Sequence, residues 1–163
     1  MAITKGKQRK AKEALDEKLS LSQPSRDLLE TLAVDCASKP SPDNTFQYAF
    51  ALSKSDNEAE LKYAVTILDG LVKEGYEHQV DCMFGAATAL YLLGEFEEGR
   101  ARCEAILRTN PSNRDTAETH LACIEAAEAE RERKAKRAAV EGTIGMAAVG
   151  LAVGVAGLLL KKR

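Results

Sequence analysis

Residue types that could carry out chemistry are few and scattered. The chain has two histidines, His78 and His120, and four cysteines, Cys36, Cys82, Cys103 and Cys123. Neither histidine lies in a metal-ligand or nucleophile motif, and no two cysteines form a C-x-x-C pair, so no zinc site or disulfide framework is indicated. The cysteines read as small core fillers in a reducing compartment. The histidines read as surface or turn residues. The sequence has no phosphate-binding loop, nucleophile elbow or dinucleotide-binding glycine pattern. It therefore points to binding rather than catalysis, with no cofactor and no metal.

The side chains best suited to binding fall on two matching helical faces. Phe84, Thr88 and Tyr91 share one face of a helix expected near 80–92. Gln47, Ala51 and Lys54 hold the corresponding positions one hairpin earlier. An apolar and aromatic strip edged with Thr, Gln and one Lys suits a bound peptide. These six residues are the expected partner groove. The alternative is that Phe84 and Tyr91 pack beneath the N-terminal arm or a capping helix, and an arm in the groove would act as its lid.

Positioning such a strip needs helices, and the composition supplies them. The 163 residues contain no Trp and only 5% aromatics. Ala and Leu dominate, which favours helices over a β-sandwich or barrel. Ala11, Leu15 and Leu19 form a weak stripe in a basic, mobile arm over residues 1–20. Ser22 and Pro24 are expected to start a helix, and Pro40-Ser41-Pro42-Asp43 breaks the chain before the next. From there a unit repeats. Phe46-x-x-Ala49-Phe50 matches Met83-x-x-Ala86-Ala87, and Ala64-x3-Leu68-x2-Leu71 matches Gly99-x3-Cys103-x2-Ile106. Gly94-Glu95-Phe96 turns the second hairpin, and Pro111 is expected to start the following helix. A helix-turn-helix unit of this length resembles the tetratricopeptide repeat, whose unit is about 34 residues. Two units leave apolar faces open, so helices near 25–38 and 113–128 are expected as caps. The expected fold is all-α: a six-helix bundle over 21–128 with two tandem tetratricopeptide-like hairpins, followed by a C-terminal transmembrane helix.

Charge divides the chain further. Residues 19–127 carry nine Lys/Arg against eighteen Asp/Glu, whereas residues 1–18 carry six against three. An acidic body disfavours a nucleic-acid partner. After the charged linker at 129–142 comes TIGMAAVGLAVGVAGLLL, Thr143 to Leu160, with no charged side chain. As a helix it would span about 27 Å, close to a hydrocarbon core of about 30 Å. Arg131, Arg133, Lys134, Lys136 and Arg137 precede it, and a basic tip, Lys161, Lys162 and Arg163, follows. Cations at both ends fix such a span in register with the headgroups. The expected arrangement is a single span in a lipid bilayer, 143–160, with the body facing the cytosol and the basic tip serving targeting. Gly150 and Gly154, at GxxxG spacing, could bring two spans together as a homo-oligomer.

Phe46-Gln47-Tyr48-Ala49-Phe50, the stretch Tyr91 to Phe96, Asn110-Pro111, and Gly145-Met146 through Gly150, in this order over about residues 43–160, resemble the mitochondrial fission 1 protein family. The resemblance implies an adaptor on the cytosolic face of the mitochondrial outer membrane, and on peroxisomes. It implies recruitment of a dynamin-related GTPase, directly or through a soluble fission adaptor, with Gln47, Ala51, Lys54, Phe84, Thr88 and Tyr91 matching the groove by position. Tyr48 matches an aromatic with a packing role. The small residues Gly85, Ala86 and Ala89 suggest an altered groove shape. The alternative function is a tail-anchored co-chaperone or import receptor. Such grooves usually present several cations, and here only Lys54 lies on the mapped face.

Overall fold

Helix boundaries follow local capping chemistry. In the computed structural model, which describes residues 3–160 and side chains through Thr143, the backbone forms seven helices and no strand. They are α1 (Lys5–Leu21), α2 (Arg26–Ser38), α3 (Pro42–Leu52), α4 (Glu58–Lys73), α5 (Gln79–Leu92), α6 (Phe96–Thr109) and α7 (Arg114–Leu160). Ser25 Oγ accepts from the Leu28 N–H at 3.2 Å, and Ser41 Oγ from the Asn44 N–H at 3.1 Å with Pro42 next in line. Asn57 Oδ1 accepts from Ala59 and Glu60 N–H groups, and Asn113 Oδ1 from Thr116. Each side chain satisfies donors that have no partner within the helix.

Two expected starts are corrected. Ser22 ends α1 instead of capping α2, and Pro24 lies before the true cap, Ser25. Pro111 sits in a turn, and α7 begins three residues later at Arg114, behind Asn113. In both places a side chain that can accept a hydrogen bond, rather than the proline, sets the boundary. Gly75 and Gly94 adopt φ of +78° and +80°. This left-handed geometry lets Tyr76 N–H reach Leu71 O at 3.0 Å and Glu95 N–H reach Leu90 O at 2.9 Å, closing α4 and α5.

The chain divides into two compact units, Met1–Ala127 and Glu128–Arg163. In the first, α3–α4 and α5–α6 are the two helix hairpins expected from the repeat. Ala49, Leu68, Leu71, Cys82 and Ala86 form one core cluster across α3, α4 and α5. Leu29, Leu52 and Ala64 form a second with Tyr48 against it, so Tyr48 does pack. α5 runs through the centre: every residue from Gly85 to Tyr91 is buried. A methyl group on Gly85 would stand 2.9 Å from Leu68 Cδ1 and 3.0 Å from Phe50 Cδ2. Gly85 therefore lets three helices meet, and its small size belongs to the core and not to the groove. Cys82, Cys103 and Cys123 are fully buried.

The N-terminal arm also differs from expectation. It is a 17-residue helix with Leu15 buried in a third cluster beside Tyr91, Ala122, Cys123 and Ala126. Ion pairs across α1 and α7 accompany this contact: Lys5 and Arg9 lie 3.6 and 4.0 Å from Glu125, and Lys18 lies 2.8 Å from Glu118. The basic front of the chain thus meets acidic positions on α7.

In the second unit, residues 129–142 are helical, as part of α7. Among the described residues no helix is long and apolar enough to cross a membrane. The expected span begins at Thr143, whose hydroxyl donates to Ala139 O at 2.8 Å. The side chains of Gly150, Gly154 and Leu160 lie outside those described, and Lys161, Lys162 and Arg163 lie outside the described residues.

Candidate partner-binding groove

The six expected residues lie on α3 (Gln47, Ala51), in the turn after it (Lys54) and on α5 (Phe84, Thr88, Tyr91), and are distributed over two cavities and one buried contact. Lys54, Phe84 and Thr88 line a largely apolar cavity of about 400 Å³ together with Leu15, Lys18 and Leu19 of α1 and Thr119 of α7. Gln47, Ala51 and Lys54 line a second cavity, about 430 Å³, with Leu21, Leu28, Phe46 and Phe50. Lys54 is common to both. Its ammonium stands 4.7 Å from the centre of the Phe50 ring, a cation–π contact.

Tyr91 lines neither of these cavities. It is only 5% exposed, its ring packs 5.5 Å from Phe96, and its hydroxyl donates to Asp16 Oδ1 of α1 at 2.6 Å. Burial, followed by the Asp16 carboxylate, drives the phenol far above its ordinary range. Tyr91 therefore fastens α1 to α5. Thr88 is buried, and its hydroxyl donates to Phe84 O at 3.0 Å, so it offers a methyl to the cavity instead of a free hydroxyl.

The sequence offered this contact as an alternative to an open groove, and the structure places α1 and α7 in the cavity wall beside Phe84 and over Tyr91. The signal was present in the Ala11, Leu15, Leu19 stripe. Its three apolar positions lie among six Lys/Arg, so they resemble a solvated arm until the acidic face of α7 is placed beside them. His78, beside Glu77 and Asp81, is exposed at the start of α5. His120 is half-buried, 3.1 Å from Glu104, and with Arg100 holds that carboxyl below its usual range. No group of metal-ligating side chains occurs among the described residues.

Comparison with known proteins follows the same lines. No family model matches the chain. The mitochondrial fission 1 protein of Mus musculus is 32% identical over 124 residues, covering 75% of this chain and 74% of its own. That of Debaryomyces hansenii is 26% identical over 159 residues, 94% of each chain. The fold resembles yeast Fis1 in a crystal structure with an Mdv1 fragment containing N-terminal extension and coiled-coil domains. The TM-score is 0.64 at 19% identity, covering 69% of this chain and 94% of that one. Identity of this level, sustained across three quarters of both the chain and its mouse relative, shows that the protein belongs to the mitochondrial fission 1 protein family.

Proposed function

We propose that the chain is a tail-anchored adaptor for organelle fission. Residues 143–160 would hold it in the mitochondrial outer membrane, and in the peroxisomal membrane, with the helical unit in the cytosol. Its tetratricopeptide-like groove would recruit a dynamin-related GTPase or a soluble adaptor of that GTPase. The observation that carries this reading is the pair of apolar cavities meeting at Lys54, the one cation common to both. A yeast relative of the same fold was crystallised with a fragment of another protein, which supports a partner-binding role for the helical unit. Among the described residues, Lys18 and Lys54 are the cations that line these cavities, fewer than the several that clamp a peptide carboxylate, which disfavours the co-chaperone reading.

The adaptor needs no bond-making chemistry. Confinement to a surface raises the local concentration of whatever it holds, so a weak groove affinity suffices to seed assembly of a self-associating partner. Gln47, Ala51 and Lys54 would read the partner on one side, and Phe84 and Thr88 on the other. Tyr91 supports the groove from below by holding α1.

The test is recovery of partners from detergent-solubilised membranes by the full chain and by Phe84→Ala and Lys54→Glu variants. Recovery of a dynamin-like GTPase or its adaptor with the wild type, and its loss with either variant at unchanged helix content, is the expected result. Recovery of heat-shock chaperones alone would overturn the reading.

A further inference from the structure

Within the second unit, α7 carries its cations unevenly. All residues from 131 to 143 are exposed. They include five Lys/Arg and two Asp/Glu. Arg133, Lys136, Arg137 and Val140 stand at i, i+3, i+4 and i+7, so they share one face. Lys134 lies off that face and is paired with Glu130 at 2.7 Å, which holds Glu130 below its usual range. Arg133 Nε donates to Ala129 O at 3.3 Å. Lys136 and Arg137 have no carboxylate within ion-pairing distance among the described residues, and Val140 is 58% exposed. The face is thus a cationic stripe that ends in an apolar side chain just before the uncharged run.

We infer that Arg133, Lys136, Arg137 and Val140 form a docking surface for anionic phospholipid headgroups. The inference rests on the tail-anchor reading, because the run at 143 sets the distance to the bilayer. At 1.5 Å per residue, Arg137 lies about 9 Å and Arg133 about 15 Å before Thr143. Each headgroup layer is about 5–8 Å thick, and the screening length in physiological salt is about 8 Å. Arg137 therefore reaches the headgroups, and the other two cations lie within roughly a screening length of them. Val140 suits the boundary between headgroup and acyl chain. The bias toward one side matters, because it lets the helix tilt this face toward the surface and keep Glu132 away from it, with Glu141, four residues after Arg137, at its edge.

The test uses the full chain, diluted from detergent onto vesicles of phosphatidylcholine alone or with about a quarter phosphatidylserine. The readout is the rate at which carbonate-resistant association develops. Attraction of one cation to such a surface is worth about fivefold. The wild type should associate faster with the anionic vesicles, by about tenfold or more, and about 0.5 M salt should abolish the difference. Arg133→Gln/Lys136→Gln/Arg137→Gln should lose the difference, whereas Arg131→Gln/Lys134→Gln, which removes cations from other faces, should keep most of it. A triple variant that still prefers anionic vesicles would overturn the proposal, as would equal losses in both variants, which would mean that net charge alone acts. If carbonate strips the chain from both vesicle types, the anchor reading falls. Salt-sensitive binding that persists before the wash would then still uphold the stripe, and its absence would overturn it.

Discussion

Glu60 accepts both guanidinium N–H groups of Arg26, at 2.6 and 2.9 Å, and also accepts from the Ser55 hydroxyl. The Arg26 bond, reinforced by Ser55, holds its carboxyl down at about 2 against an ordinary 4.5. The folded value is depressed, so this tie between α2 and α4 contributes fully above pH 4.5 and is lost as pH falls toward 2. Glu60→Gln should therefore lower the urea midpoint at neutral pH and converge on the wild type at about pH 2. A constant gap across that range would refute the linkage. Gly85 and Gly70 form a contrast of the same kind. A methyl group on Gly85 collides with Leu68 and Phe50, whereas one on Gly70 meets nothing within 4 Å. Gly85→Ala should cost about 1–3 kcal/mol through overpacking. Gly70→Ala should gain up to about 1 kcal/mol from helix propensity. Thermal melts of the two single variants decide it.

At the scale of the element, the question is what holds α1 down. Its ion pairs with α7 involve cations about half exposed or more: Lys5, Arg9 and Lys18 are 52%, 67% and 55% exposed. Such pairs contribute about 0–1 kcal/mol each and are screened by salt. Leu15 is buried against Tyr91 and Cys123, and truncating a buried leucine costs about 2–5 kcal/mol. Leu15→Ala should therefore speed amide exchange throughout α1 and open Cys123 to thiol labelling, whereas Lys5→Ala/Arg9→Ala should change both only slightly. The reverse order would make charge the fastener. α5 supplies a second contrast. Phe84 lines a cavity and Tyr91 is core. Phe84→Ala should leave the melting curve nearly intact while weakening partner recovery, and Tyr91→Ala should lower the melting midpoint, to be read by circular dichroism.

At the scale of the whole molecule, the division at residue 127 separates a packed helical unit from a stretch whose first part is helical and exposed. Core contacts of the first unit are made within residues 15–126. Removing residues 143–163 should leave its helix content unchanged and release the chain from carbonate-washed membranes. Retention of the truncated chain on membranes would show that another surface holds it.

The hairpins, the Gly94 turn and the burial of Cys82, Cys103 and Cys123 were legible because helical periodicity and turn chemistry are local properties, written within a few residues; Cys36, read the same way, is only half-buried. The family was legible too, since Phe46 to Phe50 and Tyr91 to Phe96 keep their order along the chain. The sequence left Tyr91 between two fates, groove or packing beneath another helix. A helical face is defined by sequence, but whether solvent or another helix covers it depends on a partner 75 residues away, Asp16. The same holds for α1: six cations disguise three apolar positions until α7 sets Glu125 against Lys5 and Arg9 and Glu118 against Lys18. Gly85 looked like a groove residue until Leu68 and Phe50 closed on it. Sequence alone determined the elements and their polarity. Tertiary structure decided which faces are buried, because burial depends on contacts between segments distant along the chain.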